Sequence, residues 1–189
     1  MAAIVGVEFC TPEPVKLTVS KKVMCLSGRS FEVTDGEGYM RFKMEGSAFS
    51  PRDKRVLLDV DCNPIVSARK KIGSMHDRWK VYRGDRYKKE AELFSVKRAS
   101  LFQLKTHLKI LLSGNCKEDC PDFVIKGDFF GHEAKIYRGD EVIAEIKRKF
   151  TVGNVLLDKR TFSTFICAGV DQAFIVTLVV IMDAIHERE

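Results

Sequence analysis

The chain of 189 residues lacks the segments that commonly direct a protein into or across a membrane. Its first residues, MAAIVGVEFCTPEP, contain neither a basic stretch nor a long apolar run, so they do not resemble a secretory signal. Residue 2 is alanine, which excludes the myristoylation motif. The apolar stretch at residues 173–182 is shorter than the roughly 20 residues that span a bilayer. We therefore expect a cytoplasmic location, with a peripheral membrane or nuclear location left open.

The sequence also lacks the short motifs of common catalytic sites. It has no GxSxG nucleophile elbow, no GxxxxGK[ST] phosphate loop and no HExxH zinc motif. His76 and Asp77, close to Trp79, could form a base with an orienting carboxylate, but the sequence ties no nucleophile to them. We interpret them as a polar turn before a strand in which Trp79 packs. We therefore predict a protein that is not an enzyme, with no catalytic residue and no cofactor.

Cysteines are too scattered to indicate a disulfide framework or a metal centre. In a chain without an export signal, the six cysteines are expected to be reduced thiols. Cys116 and Cys120 form the only close pair, whereas a structural zinc site takes four ligands. Because no second close pair of cysteine or histidine accompanies them, we expect no metal site and an ordinary loop at this position.

Positive charge is in moderate excess. Lysine and arginine number 32 against 26 aspartates and glutamates, which leaves a net charge of +6. This excess permits binding to nucleic acid or to an anionic membrane surface without requiring either. No helix-turn-helix, zinc finger or aromatic–basic RNA-binding platform is visible. Specific nucleic-acid binding is therefore not expected.

Apolar residues recur at every second position along most of the chain, which is the pattern of half-buried β-strands. Clear examples are FEVT and YMRFKM. In LFQLKTHLKILL the leucines at 101, 104, 108 and 111 also fit a helix, but every polar residue falls on one side, which favours a strand. Sequences rich in glycine, asparagine and aspartate separate these segments and favour tight turns. The tetrapeptide YRGD occurs twice, at residues 82–85 and 137–140. We predict that each copy is the end of a strand followed by a Gly-Asp hairpin turn. We do not favour the alternative of an RGD adhesion motif, because it would require an extracellular location.

The C-terminal segment GVDQAFIVTLVVIMDAIHERE departs from this pattern. Its β-branched residues would suit a buried strand, but Asp171 as an N-cap and the polar residues from His186 onward favour a helix over residues 171–186. A helix that is apolar on all sides must be surrounded by protein. An eight-stranded barrel is filled by its own side chains, and a helix is about 10–12 Å across, so only a wider barrel could enclose it.

The sequence therefore predicts a mainly β fold: an antiparallel β-barrel of about twelve strands that encloses a hydrophobic C-terminal α-helix. No linker or low-complexity tract divides the chain. We expect a single domain over residues 1–189, with residues 1–14 as a short lead segment and residues 171–186 as the central helix.

Seven segments, considered together with their order and spacing, carry a resemblance to a known family. They are FEVTDGEG (31–38), DKRVLLD (53–59), SMHDRWKVYRG (74–84), LFSVKRAS (93–100), FVIKGDF (123–129), AKIYRGDEVIAEIKRK (134–149) and VDQAFIVTLVVIMD (170–183). Together they resemble the plant LURP-one-related family, whose fold is similar to the tubby C-terminal domain and to phospholipid scramblases. The resemblance implies a twelve-stranded barrel around a hydrophobic C-terminal helix.

The resemblance also implies a class of function. Family members are associated with plant defence, and tubby relatives bind phosphoinositides and can act in transcription. It thus implies a non-enzymatic binding module for anionic phospholipid or phosphoinositide surfaces in plant defence or stress signalling. The alternative is a protein-interaction scaffold or a transcription-associated regulator without lipid binding. Scramblase activity is not expected, because the chain lacks a long extra membrane helix and an evident acidic calcium loop.

Basic clusters at strand ends and in a turn are the candidate lipid-binding residues. Alternate residues of a strand share a face, and a basic residue near an anionic surface contributes about 1 kcal/mol. The competing interpretation is that these charges keep the barrel soluble and discourage edge pairing. The candidates are Arg69, Lys70, Lys71, Lys88, Lys89, Lys147, Arg148 and Lys149.

Two polar insertions are candidate contacts for protein partners. They are RGDRYKKEAE at residues 83–92 and SGNCKEDCP at residues 113–121. Loops tolerate variation and often carry binding residues, so specificity for a protein partner is expected there. We expect the protein to be a monomer.

Overall fold

Twelve β-strands form one closed antiparallel barrel in a computed structural model of the chain. Each strand pairs with the next along the chain, and β12 returns to pair with β1, so the meander has no free edge. The structure describes residues 3–22, 30–47, 50, 52–73, 78–99, 106–115, 117, 119–128, 133–149 and 160–187. The predicted fold class is confirmed.

The strands are short and connected in chain order. They are β1 (Val15–Lys21), β2 (Phe31–Thr34), β3 (Met40–Gly46), β4 (Arg55–Leu58), β5 (Pro64–Lys70), β6 (Trp79–Arg83), β7 (Glu92–Arg98), β8 (Thr106–Leu112), β9 (Phe123–Asp128), β10 (Glu133–Arg138), β11 (Glu141–Lys149) and β12 (Thr161–Ile166).

Alternation in the sequence becomes the inside and outside of the barrel. In β2, Phe31 and Val33 are fully buried, whereas Glu32 and Thr34 are only partly so. In β8, Leu108 and Ile110 are buried, and the predicted residues 101–105 of this segment lie outside the described residues. Period-two alternation thus supplies each strand with one apolar face for a common core.

Helix α1 (Gln172–His186) runs through the barrel. Every residue from Gln172 to Ile185 is buried. Phe174 packs edge-on against Phe94 of β7 and at a tilt against Phe123 of β9, with ring centroids 5.0 Å apart in both pairs. The hydroxyl of Thr177 donates to the carbonyl of Ala173 at 2.7 Å, so this polar side chain is satisfied within the helix. No helix in the described part of the chain has the length and apolar character needed to cross a membrane.

Asp171 joins the start of the helix to the lead segment. Its Oδ1 accepts a hydrogen bond from the Phe174 amide at 3.0 Å, as expected for an N-cap. Its Oδ2 accepts from the amides of Val5 and Gly6 at 2.7 and 3.1 Å. The Arg83 guanidinium donates to the Val5 carbonyl. One fully buried carboxylate therefore satisfies three backbone donors and holds the lead segment across this end of the barrel.

The two YRGD copies begin different connections. Gly84 and Gly139 both adopt positive φ angles, +62° and +58°, which glycine tolerates without strain. The second copy forms the predicted two-residue turn between β10 and β11. The first copy instead opens the longer connection of residues 84–91, which includes a short 3-10 helix at Lys89–Ala91. Both copies thus end a strand at a Gly-Asp turn, but at the first copy the paired strands β6 and β7 are joined by a longer connection than the predicted hairpin turn.

Val179→Asp should prevent folding. Val179 is fully buried in the middle of α1, and a carboxylate there would have no partner in a closed apolar barrel. The desolvation cost is several kcal/mol, comparable with the total stability of about 5–15 kcal/mol. Circular dichroism should show no cooperative thermal transition. Val179→Ala should fold and lose about 2 kcal/mol; a cooperative melt of the Asp variant at the wild-type temperature would contradict burial of the helix.

Asp171→Ala should destabilise the fold by about 2–4 kcal/mol, because it removes an N-cap and two further charge-assisted hydrogen bonds. Asp171→Asn is the matched control, since its oxygen can still cap the helix while its amide nitrogen cannot accept from Val5 and Gly6. Urea unfolding of the three proteins measures the effect. Equal stability of the Ala variant and the wild type would show that the lead segment and the helix are not held by this carboxylate.

Candidate anion-binding site

One end of the barrel collects the basic strand ends. Odd-numbered strands run in the same direction, so their last residues meet at the same end. Four of these six strands end in lysine or arginine. We call this end the basic rim and define it by Lys21, Lys22, Arg69, Lys70, Lys71, Lys97, Arg98, Lys147, Arg148 and Lys149.

Several basic side chains at or next to this rim bind polar groups at the C-terminal end of α1. The Arg98 guanidinium donates to the Ile185 carbonyl at 3.1 Å. Lys21 forms an ion pair with Glu187 at 2.6 Å. Arg160 bonds the carboxylates of Asp183 and Glu187, at 2.9 and 3.0 Å. These charges are compensated within the protein, so they are poor candidates for an external anion.

The environment shifts the pKa values of both carboxylates at the helix end. Burial raises the pKa of Asp183, against the opposing effect of Arg160. For Glu187, burial also acts against ionisation, but the hydrogen bond and charge of Lys21 and the charge of Arg160 outweigh it and lower the pKa. Glu187 is therefore the carboxylate whose ionised form the folded state favours.

The predicted cluster Lys147–Lys149 lies across the barrel from Arg69–Lys71. Strands β11 and β5 are six strands apart around the ring of twelve. Lys147 pairs with Glu133 at 2.9 Å, and Lys135 next to it pairs with Glu145 at 2.9 Å. The β11 surface thus carries carboxylates among its basic residues, which reduces its net attraction for an anion.

The structure brings four of the predicted residues together in one cavity. Arg69, Lys70, Lys71 and Lys89 line a space of about 460 Å³ on the outer wall of β5 and β6. We call this space the basic cavity; its other lining residues are Arg52, Ile72, Lys80, Tyr82, Tyr87 and Glu92. Lys88 does not line it and instead lines a neighbouring cavity on the connection of residues 84–91.

Two tyrosines hold Arg69 in the wall of the basic cavity. The guanidinium carbon lies 5.0 Å from the ring centre of Tyr82 and 5.1 Å from that of Tyr87. Its Nη2 donates to the Tyr82 hydroxyl at 3.1 Å, and the two rings meet edge to face at 5.6 Å. Cation–π contact and the hydrogen bond fix the orientation of the guanidinium plane, which is the group that binds phosphate in a bidentate manner.

The one carboxylate that lines the basic cavity is neutralised by a lysine of the same cavity. Glu92 is the only acid among the lining residues, against six lysines and arginines, and it pairs with Lys80 at 2.6 Å. Arg52, Lys71 and Lys89 are exposed and form no side-chain ion pair or hydrogen bond within the described part of the chain. Three basic groups are therefore available to an anion that enters.

Tyr87 adds no negative charge to the site. Burial raises the pKa of its hydroxyl above the ordinary value. The phenol is therefore protonated at neutral pH and can donate a hydrogen bond. Lys54 Nζ lies 5.2 Å from the centre of the same ring, so the positive surroundings extend past the lining residues.

Sequence reasoning missed the aromatic part of the site and two of its basic residues, Arg52 and Lys80. The strand pairing sets Arg69 opposite Lys80 and Ser67 opposite Tyr82 on the outer face. Alternation within β6 could have placed Lys80 and Tyr82 on one face. No local pattern, however, indicates that the following connection folds back and brings Tyr87 onto that face.

Other predicted features fall elsewhere. His76, Asp77 and Cys116 lie outside the described residues. Trp79 is buried in the core, as predicted, with the Arg55 guanidinium 5.7 Å from its ring. Within the described ranges, no three His, Cys, Asp or Glu side chains are grouped so that they could hold a metal ion. The insertions at residues 83–92 and 113–121 both join even-numbered to odd-numbered strands, so they lie at the end opposite the basic rim.

The fold and the cavity define a class: a closed twelve-stranded barrel around a buried helix, with a basic, tyrosine-lined cavity on its wall. A profile of the LURP-one-related family matches residues 15–183. The chain belongs to this family.

Individual relatives cover almost the whole chain. Protein LURP-one-related 15 of Arabidopsis thaliana is 39% identical over 98% of this chain and 87% of its own length. Protein LURP-one-related 10 of the same plant is 39% identical over 99% of this chain and 98% of its own. An X-ray structure of an Arabidopsis thaliana protein, 31% identical, superposes with a TM-score of 0.75 over 97% of this chain and 98% of that one.

Glu187→Gln should destabilise the protein at neutral pH and have little effect in acid. The folded-state pKa of Glu187 is lowered, so its contribution is present above the ordinary glutamate value of about 4.3 and is lost as the pH falls through the folded-state value. We expect a difference of about 1 kcal/mol at pH 7. Thermal melts of both proteins between neutral and strongly acidic pH measure it; a difference that grows on acidification would contradict the assignment.

Proposed function

We propose that this LURP-one-related protein is a non-enzymatic binding module for anionic phospholipid surfaces, with a phosphoinositide headgroup held in the basic cavity. The observation that carries the proposal is the combination in one cavity of an arginine fixed against two tyrosines and three uncompensated basic groups. A cavity of about 460 Å³ also lies within the usual range for small-ligand sites.

The charge of the cavity favours a headgroup with more than one phosphate. Arg69 offers a planar, oriented pair of donors, whereas Lys71 and Lys89 supply mobile point charges at the margin. A headgroup with a single net negative charge would use only part of this set. Phosphoinositides with two or more ring phosphates match it better, because each phosphate can meet its own basic group.

Family membership and membrane electrostatics support a proposal for the cellular setting. The cytoplasmic leaflet is negatively charged and attracts basic surfaces. We propose that the protein acts at that leaflet, as a monomer, in plant defence or stress signalling. The proposal requires no cofactor, metal ion or nucleic acid.

Neutralising the cavity should weaken vesicle binding. The Lys71→Gln/Lys89→Gln double variant should lower affinity for vesicles containing phosphatidylinositol 4,5-bisphosphate about 30-fold, since each residue contributes about 1 kcal/mol. Co-sedimentation with neutral, phosphatidylserine and phosphoinositide vesicles, at low and physiological salt, measures the effect. Wild-type binding should be selective for the phosphoinositide and persist at physiological salt.

The matched control is Lys147→Gln/Lys149→Gln, which also removes two positive charges but from β11, six strands around the ring from β5. It should retain most of the wild-type affinity. An equal loss in both double variants would assign binding to the overall positive charge of the protein and not to the cavity. Absence of wild-type binding at physiological salt would refute the lipid proposal.

A protein-interaction scaffold is the second candidate. The insertions at residues 83–92 and 113–121 lie at the same end of the barrel, separated along the ring only by the paired strands β7 and β8. The first insertion also supplies Tyr87, Lys89 and Glu92 to the basic cavity, so a protein bound there would compete with a headgroup. If vesicles are not bound, replacing both insertions by short Gly-Ser turns should abolish the recovery of protein partners in a pull-down. Partners that are still recovered would argue against this candidate and against a transcription-associated role through these loops.

A further inference from the structure

Ile72 exposes an aliphatic side chain in the wall of the basic cavity. It lines that cavity, is 61% exposed and directly follows Lys71. The Lys71 amide donates to the Arg78 carbonyl at 2.7 Å, so the backbone just before Ile72 is tied to the start of the next strand. Ile72 therefore directly follows a residue that is hydrogen-bonded into the barrel.

The surroundings distinguish Ile72 from other exposed apolar residues. Single exposed hydrophobic side chains are ordinary on a protein surface. Among the described residues, Val7, Tyr39, Met40, Val60 and Phe165 are also large and exposed, but none of them lines the basic cavity. Of this set, only Ile72 combines exposure with a place in the basic cavity.

We propose that Ile72 is a membrane anchor: it enters the lipid layer when the basic cavity holds a headgroup, so the ligand is recognised in a bilayer and not as a free phosphate ester. This inference rests on the proposed function of the cavity. The cations beside Ile72 draw the protein to the headgroup layer, and lysine stems lie along apolar material while their ammonium groups remain in the polar region. The isoleucine then loses contact with water.

The test compares two forms of the same headgroup. Binding to vesicles containing phosphatidylinositol 4,5-bisphosphate is measured beside calorimetric binding of soluble inositol 1,4,5-trisphosphate. Ile72→Ser should lower vesicle affinity about tenfold, because an isoleucine side chain is no longer transferred from water. Its affinity for the soluble headgroup should fall much less, because only the bilayer offers this side chain an apolar environment.

Val60→Ser is the matched control. Val60 is 58% exposed in the turn between β4 and β5, at the end opposite the basic rim. Both substitutions are at exposed sites, so both proteins should melt as the wild type does. Val60→Ser should change neither affinity.

Insertion itself can be observed with Ile72→Trp. The fluorescence of this variant should shift to the blue on phosphoinositide vesicles and be quenched by brominated lipid, while the wild type, whose single tryptophan Trp79 is buried, should change little. Soluble headgroup should cause no such shift. If brominated lipid leaves the fluorescence of the vesicle-bound variant unquenched, the anchor is overturned.

The outcomes separate this inference from the proposed function. If Ile72→Ser binds vesicles as tightly as the wild type while Lys71→Gln/Lys89→Gln binds both ligands weakly, the anchor is refuted and the cavity assignment remains. If Ile72→Ser lowers the affinity for vesicles and for the soluble headgroup equally, the residue acts only as part of the cavity wall and the anchor is refuted. If the wild type binds neither ligand, the proposed function fails and this inference fails with it.

Discussion

Burial of an all-apolar helix is the constraint on which this structure depends. A helix exposed on no side needs apolar protein all around it, and a closed sheet provides that without leaving an unpaired edge. Twelve strands spaced by about 4.8 Å and tilted by about 36–45° enclose a backbone cylinder roughly 23–26 Å across. A central helix with about 10 Å to the surrounding sheet needs roughly 20 Å. Eight strands with the same spacing and tilt would give only about 16–18 Å, so strand number and helix burial determine each other.

Side chains of opposite charge stabilise the two ends of the helix. At its start, Asp171 places a carboxylate where the backbone amides and the helix dipole are positive. At its end, Arg98 binds a free carbonyl, and Arg160 and Lys21 surround the final carboxylates. Several basic residues at this end of the barrel therefore stabilise the end of the helix. Basic residues on the outer surface that do not contact the helix are the ones available to bind an anion.

The candidate site is a product of strand pairing. Register places Arg69 beside Lys80 and near Tyr82, and the connection after β6 brings Tyr87 across them. None of these residues is adjacent to Arg69 in the chain, although each is ordinary by itself. The site also explains why neighbouring lysines differ in use: Lys89 lines the basic cavity, whereas Lys88 lines the cavity beside it. Equivalent runs of basic residues in sequence thus have unequal access to a common ligand.

The sequence by itself determined the fold class, the helix and its N-cap, because period-two alternation and an uninterrupted apolar segment are local consequences of burial. It also pointed to part of the cavity, since Arg69, Lys70, Lys71 and Lys89 are recognisable as basic clusters. Only the tertiary structure decided that these four meet, that Lys147–Lys149 lie across the barrel among carboxylates, and that Tyr82 and Tyr87 hold the arginine. The reason is physical: charge and hydropathy are properties of single residues, whereas compensation of a charge depends on which distant residue the strand register places beside it.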